Sequence, residues 1–189
     1  MDLFRERGYV ETTVEEIAAR AGLTERTFFR YFADKREVLF SGSKELEESI
    51  VARTKDAPAE ASPLDAVAAA FEAAGAELEA RRELVYVRAR WALVTGHAEI
   101  RERELIKLAG MTLAVRGALH ARGVAEPMAS LAAEAGMAAF KVGFERWMGE
   151  KKPRDLAGHI RAAVVALKAV AAGDGGAKTK RAPARQRRA

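Results

Sequence analysis

Basic side chains at helical spacing near the N-terminus can bond to phosphates and to the edges of bases. Arg26 and Arg30 stand about one helical turn apart, and Lys35 follows further along the chain. Arginine binds guanine edges and phosphate oxygens, and lysine binds phosphate as a point charge. Residues 24–36 carry a net charge of +2, although residues 1–40 as a whole carry −1. The segment could bind a polyanion only if the acidic side chains lie on a different surface from these basic ones. A solvated helix face is the alternative interpretation of such mixed charge.

Cap signals define the helices that must position these side chains. Thr13 and Glu16 have the spacing of a capping box, which predicts that a helix begins there. Thr24 and Asp34 predict two further helix starts, because short polar side chains accept hydrogen bonds from the first open amides of a helix. The helices predicted in this way cover residues 13–21, 24–32 and 35–54.

A tight turn joins the second and third helices, which is the pattern of a helix-turn-helix. Ala18 is small where the two helices would cross, Gly22 permits the sharp turn, and we expect Leu23 to plug the joint. The small core would come from Ile17, Phe28 and Phe32. The outward positions of the third helix then present Glu25, Arg26, Thr27, Arg30 and Tyr31, which include donors for base edges and phosphates.

The remainder of the chain is also predicted to be helical. Apolar residues recur at three- and four-residue spacing nearly throughout, and the alternation typical of strands is absent. We therefore expect an all-α chain with a three-helix helix-turn-helix domain and a larger helical domain. The further helices predicted cover residues 62–81, 82–94, 96–122, 127–149 and 153–173.

These cap, turn and core residues belong to a longer pattern over residues 3–40. Its segments are residues 4–18, 21–24 and 27–32, followed by Lys35. The pattern resembles the N-terminal DNA-binding domain of TetR-type transcriptional regulators, and beyond residue 45 the resemblance is one of architecture only. It implies a helix-turn-helix DNA-binding domain at residues 1–42 and a helical effector-binding and dimerisation domain at residues 43–172. The composition of residues 173–189, which is basic and glycine-rich with few apolar residues, predicts a disordered tail.

The resemblance also implies which residues touch DNA. Thr13 matches a position that contacts phosphate, and Tyr31 and Lys35 match positions that hold the DNA backbone. Phe29 stands where the family usually has tyrosine, and phenylalanine cannot donate a hydrogen bond to phosphate. Packing on a thymine methyl group or a sugar, or a contact from Arg30, would replace that bond. The predicted DNA-binding residues are Thr13, Thr24, Glu25, Arg26, Thr27, Phe29, Arg30, Tyr31 and Lys35.

The first helix is a second departure from the family. Only Met1 and Asp2 precede Leu3 and Phe4, whereas the family's first helix begins well before that pair. We therefore hypothesise that translation starts upstream of Met1, and the intact mass of the protein from its native cell would test this.

An effector pocket in the helical domain is implied by the resemblance. Arg90 lies among apolar neighbours and has two possible roles. We favour an internal ion pair with an acidic side chain, and the alternative is an anchor for an anionic effector. Residues 139–147 loosely resemble regulators that sense acyl-coenzyme A thioesters, so we expect an apolar small-molecule effector, with acyl-coenzyme A among the candidates. The candidate pocket residues are Phe71, Tyr86, Arg90, Trp91, Met111, Phe140, Phe144 and Trp147, although such side chains also build ordinary cores.

Small and apolar faces on the last two helices are candidates for a homodimer interface. Small residues let helices approach closely, and the family dimerises through this pair of helices. Packing of the same faces within one chain is the alternative. The candidate interface residues are Ala132, Gly136, Ala139, Gly143, Ile160, Val164 and Leu167.

Several classes of protein are disfavoured by what the sequence lacks. Without cysteine there is no thiol catalysis, disulfide or cysteine-ligated zinc, and His97, His120 and His159 are too scattered to suggest a metal site. No nucleophile elbow, phosphate loop or dinucleotide motif occurs, so we expect neither an enzyme nor a cofactor. No apolar stretch is long enough to span a membrane and no signal peptide is recognisable, so a cytoplasmic location is expected.

The chain's net charge of +5 lies entirely in its C-terminal tail. This tail is a solvated end, a nonspecific DNA arm or a docking peptide. If it is a DNA arm, its deletion should weaken binding to all DNA and make the binding affinity less dependent on salt concentration. The whole sequence predicts a homodimeric, effector-released repressor that binds a near-palindromic operator. The alternatives are an architectural DNA-binding protein without effector and a ligand-binding module with impaired DNA binding. The cations of the tail are Lys178, Lys180, Arg181, Arg185, Arg187 and Arg188.

Overall fold

The computed structural model describes residues 1–81, 83–151 and 153–173. Within these ranges the chain forms nine α-helices, one 3-10 helix and no β-strand, which confirms the predicted all-helical fold. The 3-10 helix, Lys35–Phe40, lies between the third and fourth α-helices. The α-helices are α1 (Asp2–Arg7), α2 (Val14–Arg20), α3 (Glu25–Tyr31), α4 (Ser43–Lys55), α5 (Pro63–Arg81), α6 (Leu84–Gly96), α7 (Ala98–Ala121), α8 (Met128–Gly149) and α9 (Leu156–Ala171).

The caps of α2 and α3 are those expected from the sequence. Thr13 Oγ1 accepts a hydrogen bond from Glu16 N at 3.2 Å, and Glu16 Oε2 accepts one from Thr13 N at 3.0 Å. Thr24 Oγ1 accepts a hydrogen bond from Thr27 N at 3.2 Å. These bonds satisfy amides that the helices leave open, so both helices begin at defined residues.

The turn between α2 and α3 follows the prediction except at Leu23. Ala18 is buried at the crossing, and Gly22 adopts a positive φ of 68°, a conformation that glycine reaches without strain. Leu23 does not plug the joint, because its side chain is 44% exposed. Phe28 is buried as expected and packs against Phe32 with ring centroids 5.2 Å apart.

The helix expected over residues 35–54 is interrupted. Asp34 caps it as predicted, but its first part is the 3-10 helix. Gly42 then adopts a φ of 84°, and Ser43 Oγ donates a hydrogen bond to Phe40 O at 2.6 Å. Because Gly42 is in the left-handed conformation, the 3-10 helix ends before it and α4 begins after it, at Ser43.

The last helix begins later than its proline suggested. Asp155 Oδ1 accepts a hydrogen bond from Gly158 N at 2.8 Å and caps α9. The helix therefore starts at Leu156, whereas Pro153 lies in the preceding loop.

Helix α5 lies at the centre of the larger domain and packs against α4, α8 and α9. Its Val67 and Phe71 side chains are completely buried. Gly136 of α8 lies against Val67, and Gly143 lies so close to α9 that an added Cβ would stand 2.8 Å from Ile160 N. Small residues on α8 thus let three helices pack closely within one chain.

Helix α7 runs from the N-terminal domain to the far end of the larger domain. Near its start, Ile100 packs in one cluster with Phe4 and Tyr9. Just past its end, Arg122 donates hydrogen bonds to Lys55 O at 3.1 Å and Pro58 O at 2.8 Å. Because α7 has 24 residues, about 36 Å separates these two ends.

The predicted tail lies outside the described residues from position 174 onward. In the part of the chain that is described, none of the helices combines the length and apolar character needed to cross a membrane.

Candidate nucleic-acid interface

Helix α3 turns one aromatic face inward and a mixed polar and aromatic face outward. Phe28 is buried, whereas Phe29 is 54% and Tyr31 is 65% exposed. Glu25 and Arg26 are exposed on the first turn. An exposed surface of this kind on the second helix of a helix-turn-helix is suited to enter the major groove.

Arg26 is the arginine of this surface that is free to bind. Among the described residues its side chain makes no hydrogen bond and no ion pair. Arg30, in contrast, stacks on the Tyr31 ring at 4.9 Å from its centroid and donates a hydrogen bond to Tyr31 Oη at 3.0 Å. The guanidinium of Arg30 and the phenol of Tyr31 therefore form one unit at the end of α3.

Lys35 differs from its expected role as a phosphate contact. Its Nζ donates hydrogen bonds to Tyr9 O at 2.8 Å, Val10 O at 3.0 Å and Thr12 O at 2.9 Å. An ammonium group has three donors, so all of them are used inside the protein. Lys35 fixes the turn before α2 against the 3-10 helix, and it positions the interface without being free to bind DNA directly.

Arg36 and Asp34 form an ion pair next to this anchor. Arg36 Nη2 lies 2.5 Å from Asp34 Oδ2. The hydrogen bond from Arg36 holds the pKa of the Asp34 carboxyl below its usual range. Arg36 thus adds less free positive charge to the interface than its presence in residues 24–36 suggested.

Thr12 is a positioning residue that sequence reasoning missed. Its side chain is fully buried, and its Oγ1 donates a hydrogen bond to Gly8 O at 2.7 Å or to Leu3 O at 3.3 Å. It thereby ties the end of α1 to the start of α2. The sequence pattern of a helix cap identified the neighbouring Thr13, and nothing in the spacing of residues indicated a separate structural role for Thr12.

Charged contacts join the 3-10 helix to α7. Glu37 Oε1 accepts a hydrogen bond from Arg103 Nε at 2.5 Å, and Lys107 Nζ lies 3.6 Å from Glu37 Oε2. The Arg103 hydrogen bond holds the pKa of Glu37 below its ordinary value. Arg103 and Lys107 stand four residues apart on one helix, a spacing that could have predicted a carboxylate partner.

Two candidate pocket residues lie at this junction between the domains instead. Arg90 Nη2 pairs with Glu104 Oε2 at 2.5 Å, and its Nε donates to Leu39 O at 2.9 Å. The Tyr86 ring lies beneath the Arg5 guanidinium, 5.2 Å from the ring centroid. The internal ion pair favoured for Arg90 is therefore the arrangement found, and both side chains contact charged residues at this junction.

The other candidate pocket residues form a packed cluster, which we call the aromatic cluster. Phe71 stacks on Phe140 at 5.2 Å between ring centroids, and Phe144 lies 5.3 Å from Trp91 and 5.8 Å from Trp147. Met111 is buried in the same core. Trp147 is 2% exposed, and its Nε1 has no hydrogen-bond partner among the described residues.

The candidate dimer residues lie mainly inside the chain. Ala132, Gly136, Ala139, Gly143, Ile160 and Val164 are buried, and Leu167 is half-buried. These faces serve the packing of α5, α8 and α9, which is the alternative stated for them. The last two helices also expose apolar side chains among charged ones, and these are Met128, Leu131 and Val142 on α8 and Val165 and Val170 on α9.

The match to a protein-family model lies in the N-terminal domain. The family model described as bacterial regulatory proteins of the tetR family matches residues 1–41. The HTH-type transcriptional regulator TcmR of Streptomyces glaucescens is 41% identical over 73 residues, which are 39% of this chain and 32% of TcmR. The TetR family transcriptional regulator PfmR from Thermus thermophilus matches at a TM-score of 0.49 and 23% identity, over 88% of this chain and 92% of PfmR.

The capped helices and the exposed face of α3 define a helix-turn-helix DNA-binding domain. Its sequence matches the family model over the same residues. The N-terminal domain is therefore similar to that of bacterial regulatory proteins of the tetR family.

Proposed function

We propose that the chain acts as a homodimeric transcriptional repressor, which binds a near-palindromic operator and releases it when an effector binds the helical domain. The observation that carries this proposal is the outward face of α3, where Arg26, Phe29 and Tyr31 are exposed around the buried Phe28. Two such helices in a dimer would enter successive major grooves about 34–36 Å apart.

The exposed residues of α3 divide into base readers and backbone contacts. Arg26 and Glu25 precede the rest, and the leading residues of a recognition helix reach base edges. Arginine there prefers guanine, and glutamate accepts a hydrogen bond from cytosine. The Arg30 and Tyr31 unit at the end of the helix serves phosphate. Thr13 and Thr24 cap their helices and are both exposed, and we assign them to contacts with DNA as well.

The effector site is assigned to the aromatic cluster. An apolar compound would replace ring contacts with similar ones, and a hydrogen-bond acceptor on it would satisfy Trp147 Nε1. A buried donor without a partner costs about 1–3 kcal/mol, so a ligand that supplies an acceptor gains that amount. The cluster is packed in this state, so the effector must open it.

Helix α6 links this cluster to the DNA-binding domain. Trp91 packs on Phe144 in the cluster, and the adjacent Arg90 holds the carbonyl oxygen of Leu39 in the 3-10 helix. An effector that displaces Trp91 therefore displaces the support of the 3-10 helix. A preference of about 1.4 kcal/mol for the displaced state weakens operator binding tenfold.

Dimerisation is assigned to the exposed apolar faces of α8 and α9. Leu131 is 62% exposed and Val165 is 64% exposed on neighbouring helices. A second copy of the same surface would cover both side chains in a two-fold arrangement of four helices.

Fluorescence anisotropy of labelled DNA tests the DNA-binding part of this proposal. The probe is DNA from upstream of the protein's own gene, titrated with the full chain at near-physiological salt with excess unrelated DNA. We expect Arg26→Ala to weaken binding about 5- to 150-fold, the usual effect of losing a base-reading arginine. Arg154→Ala removes an exposed arginine of the larger domain and should leave binding unchanged. Equal affinity for all DNA would refute an operator-specific regulator and favour the architectural alternative.

Intrinsic fluorescence tests the effector part. The chain has two tryptophans, and both contact Phe144. Binding of fatty acids, acyl-coenzyme A thioesters or planar aromatic compounds at the aromatic cluster should change this emission and release the labelled DNA. A compound that releases DNA in the Phe144→Ala variant as readily as in the wild type would contradict this location.

A further inference from the structure

Phe29 is an exposed apolar ring in the middle of a surface that is otherwise polar. The ring is 54% exposed on α3. It follows Arg26 by three residues and Glu25 by four, so the three side chains share one face of the helix. A face that carries base-reading residues therefore carries a ring that can make no conventional hydrogen bond.

The ring is held outward by the core beneath it. Phe29 meets Phe28 edge to face, with centroids 5.5 Å apart and an angle of 89° between the planes. Phe28 is itself buried and packs on Phe32. Arg30 does not cover the ring's outer side as a partner, because its guanidinium stacks on Tyr31. Phe29 is thus presented in a defined position before DNA binds.

The major groove offers one apolar group at base edges, the 5-methyl group of thymine. We propose that Phe29 reads a thymine methyl group in each half-site and so determines specificity at that base pair. This inference rests on the proposed DNA-binding function. A contact with a deoxyribose instead would give affinity without base preference, and the experiment below separates the two.

The test begins with selection of binding sequences from duplexes that contain a random core, using the full chain. The selected duplex is then synthesised with deoxyuridine at single thymine positions, which removes only the methyl group. We expect one position in each half-site at which the wild type binds the thymine duplex about fourfold more tightly, the effect of burying one carbon group. Substitution of both half-sites should multiply the two factors.

Two variants assign the effect to this side chain. Phe29→Ala should bind thymine and deoxyuridine duplexes equally, and Phe29→Leu should retain part of the preference because it keeps an apolar contact. Arg26→Ala is the matched control: it should lose affinity but keep the fourfold ratio. Both Phe29 and Arg26 are exposed, and thermal melts of each variant verify the fold.

Three outcomes overturn the inference. If the selection enriches a sequence that shows no methyl dependence, Phe29 contacts sugar and only this inference fails. If Phe29→Ala keeps the thymine preference, another side chain reads the methyl group. If no sequence is enriched at all, the proposed function fails together with the inference.

Discussion

Replacing Gly143 by alanine should loosen the packing of α8 on α9. A Cβ at position 143 would stand 2.8 Å from both Ile160 N and Ile160 Cα and 3.0 Å from His159 C. All three atoms belong to the backbone of α9, so no side-chain rotation can relieve the overlap. Overpacking of this kind costs about 1–3 kcal/mol. The better helix propensity of alanine offsets no more than about 1 kcal/mol of that cost.

The matched control is Gly117→Ala in α7. Gly117 also lies inside a helix, but an added Cβ there would meet no heavy atom within 4 Å. Only the gain in helix propensity remains, so this variant should be more stable than the wild type. For a chain of this size, we expect Gly143→Ala to lower Tm by about 2–10 °C and Gly117→Ala to raise it by about 1–4 °C.

Thermal unfolding followed by circular dichroism at two widely separated protein concentrations is the assay. If Gly143 packs within one chain, the difference in Tm between variant and wild type is the same at both concentrations. A residue at a subunit interface would instead give a difference that grows as the concentration rises from below to above the dissociation constant of the dimer. A Gly143→Ala variant as stable as Gly117→Ala would refute the packing argument.

Three further predictions test other contacts. Lys35→Met should lower the free energy of unfolding by roughly 1–3 kcal/mol in denaturant titrations. Because the ammonium group contacts carbonyl oxygens inside the protein, the dependence of DNA affinity on salt concentration should stay the same. A weaker dependence on salt would show that Lys35 contacts phosphate. Arg103 lowers the pKa of the Glu37 carboxyl from its ordinary value of 4.5, so the stability that this ion pair contributes is complete above pH 4.5 and is lost as the pH falls through the lowered pKa. The Glu37→Gln variant should therefore lose less Tm than the wild type between neutral and acid pH. An equal loss in both proteins would contradict this. Leu131→Glu should produce monomers in sedimentation experiments while Leu105→Glu, at a similarly exposed apolar position on α7, should remain dimeric; the reverse result would place the interface on α7.

The start of each short helix could be predicted from the sequence because its signals are local. Thr13, Thr24 and Asp34 each satisfy an amide within three residues, so the cap and its partner occur in the same short window. The role of Lys35 could not be predicted in this way. Its three acceptors lie 23 to 26 residues earlier in the chain, and only the packing of the 3-10 helix against the turn brings them together.

The larger domain was harder to predict because small and apolar residues do not identify their partners. Gly136 and Gly143 correctly indicated close helix approach, but the approaching elements are α5 and α9 of the same chain. The outer side of α8 carries apolar residues among its charged ones, so periodicity alone could not distinguish the inner face from the outer one. Leu131 and Val142 lie on that outer face, and only the packing showed it.

The 3-10 helix is one of the segments that join the two domains, together with the contacts of Phe4, Tyr9 and Arg5 with α6 and α7. Such helices have poorer hydrogen-bond geometry than α-helices and are usually short, so side chains rather than backbone bonds must hold this one. Glu37 is bound by Arg103 of α7, and the carbonyl oxygen of Leu39 is bound by Arg90 of α6. At its start, Lys35 holds the turn before α2. Under the proposed function, we expect a shift of α6 or α7 to reach the turn before α2 through these contacts.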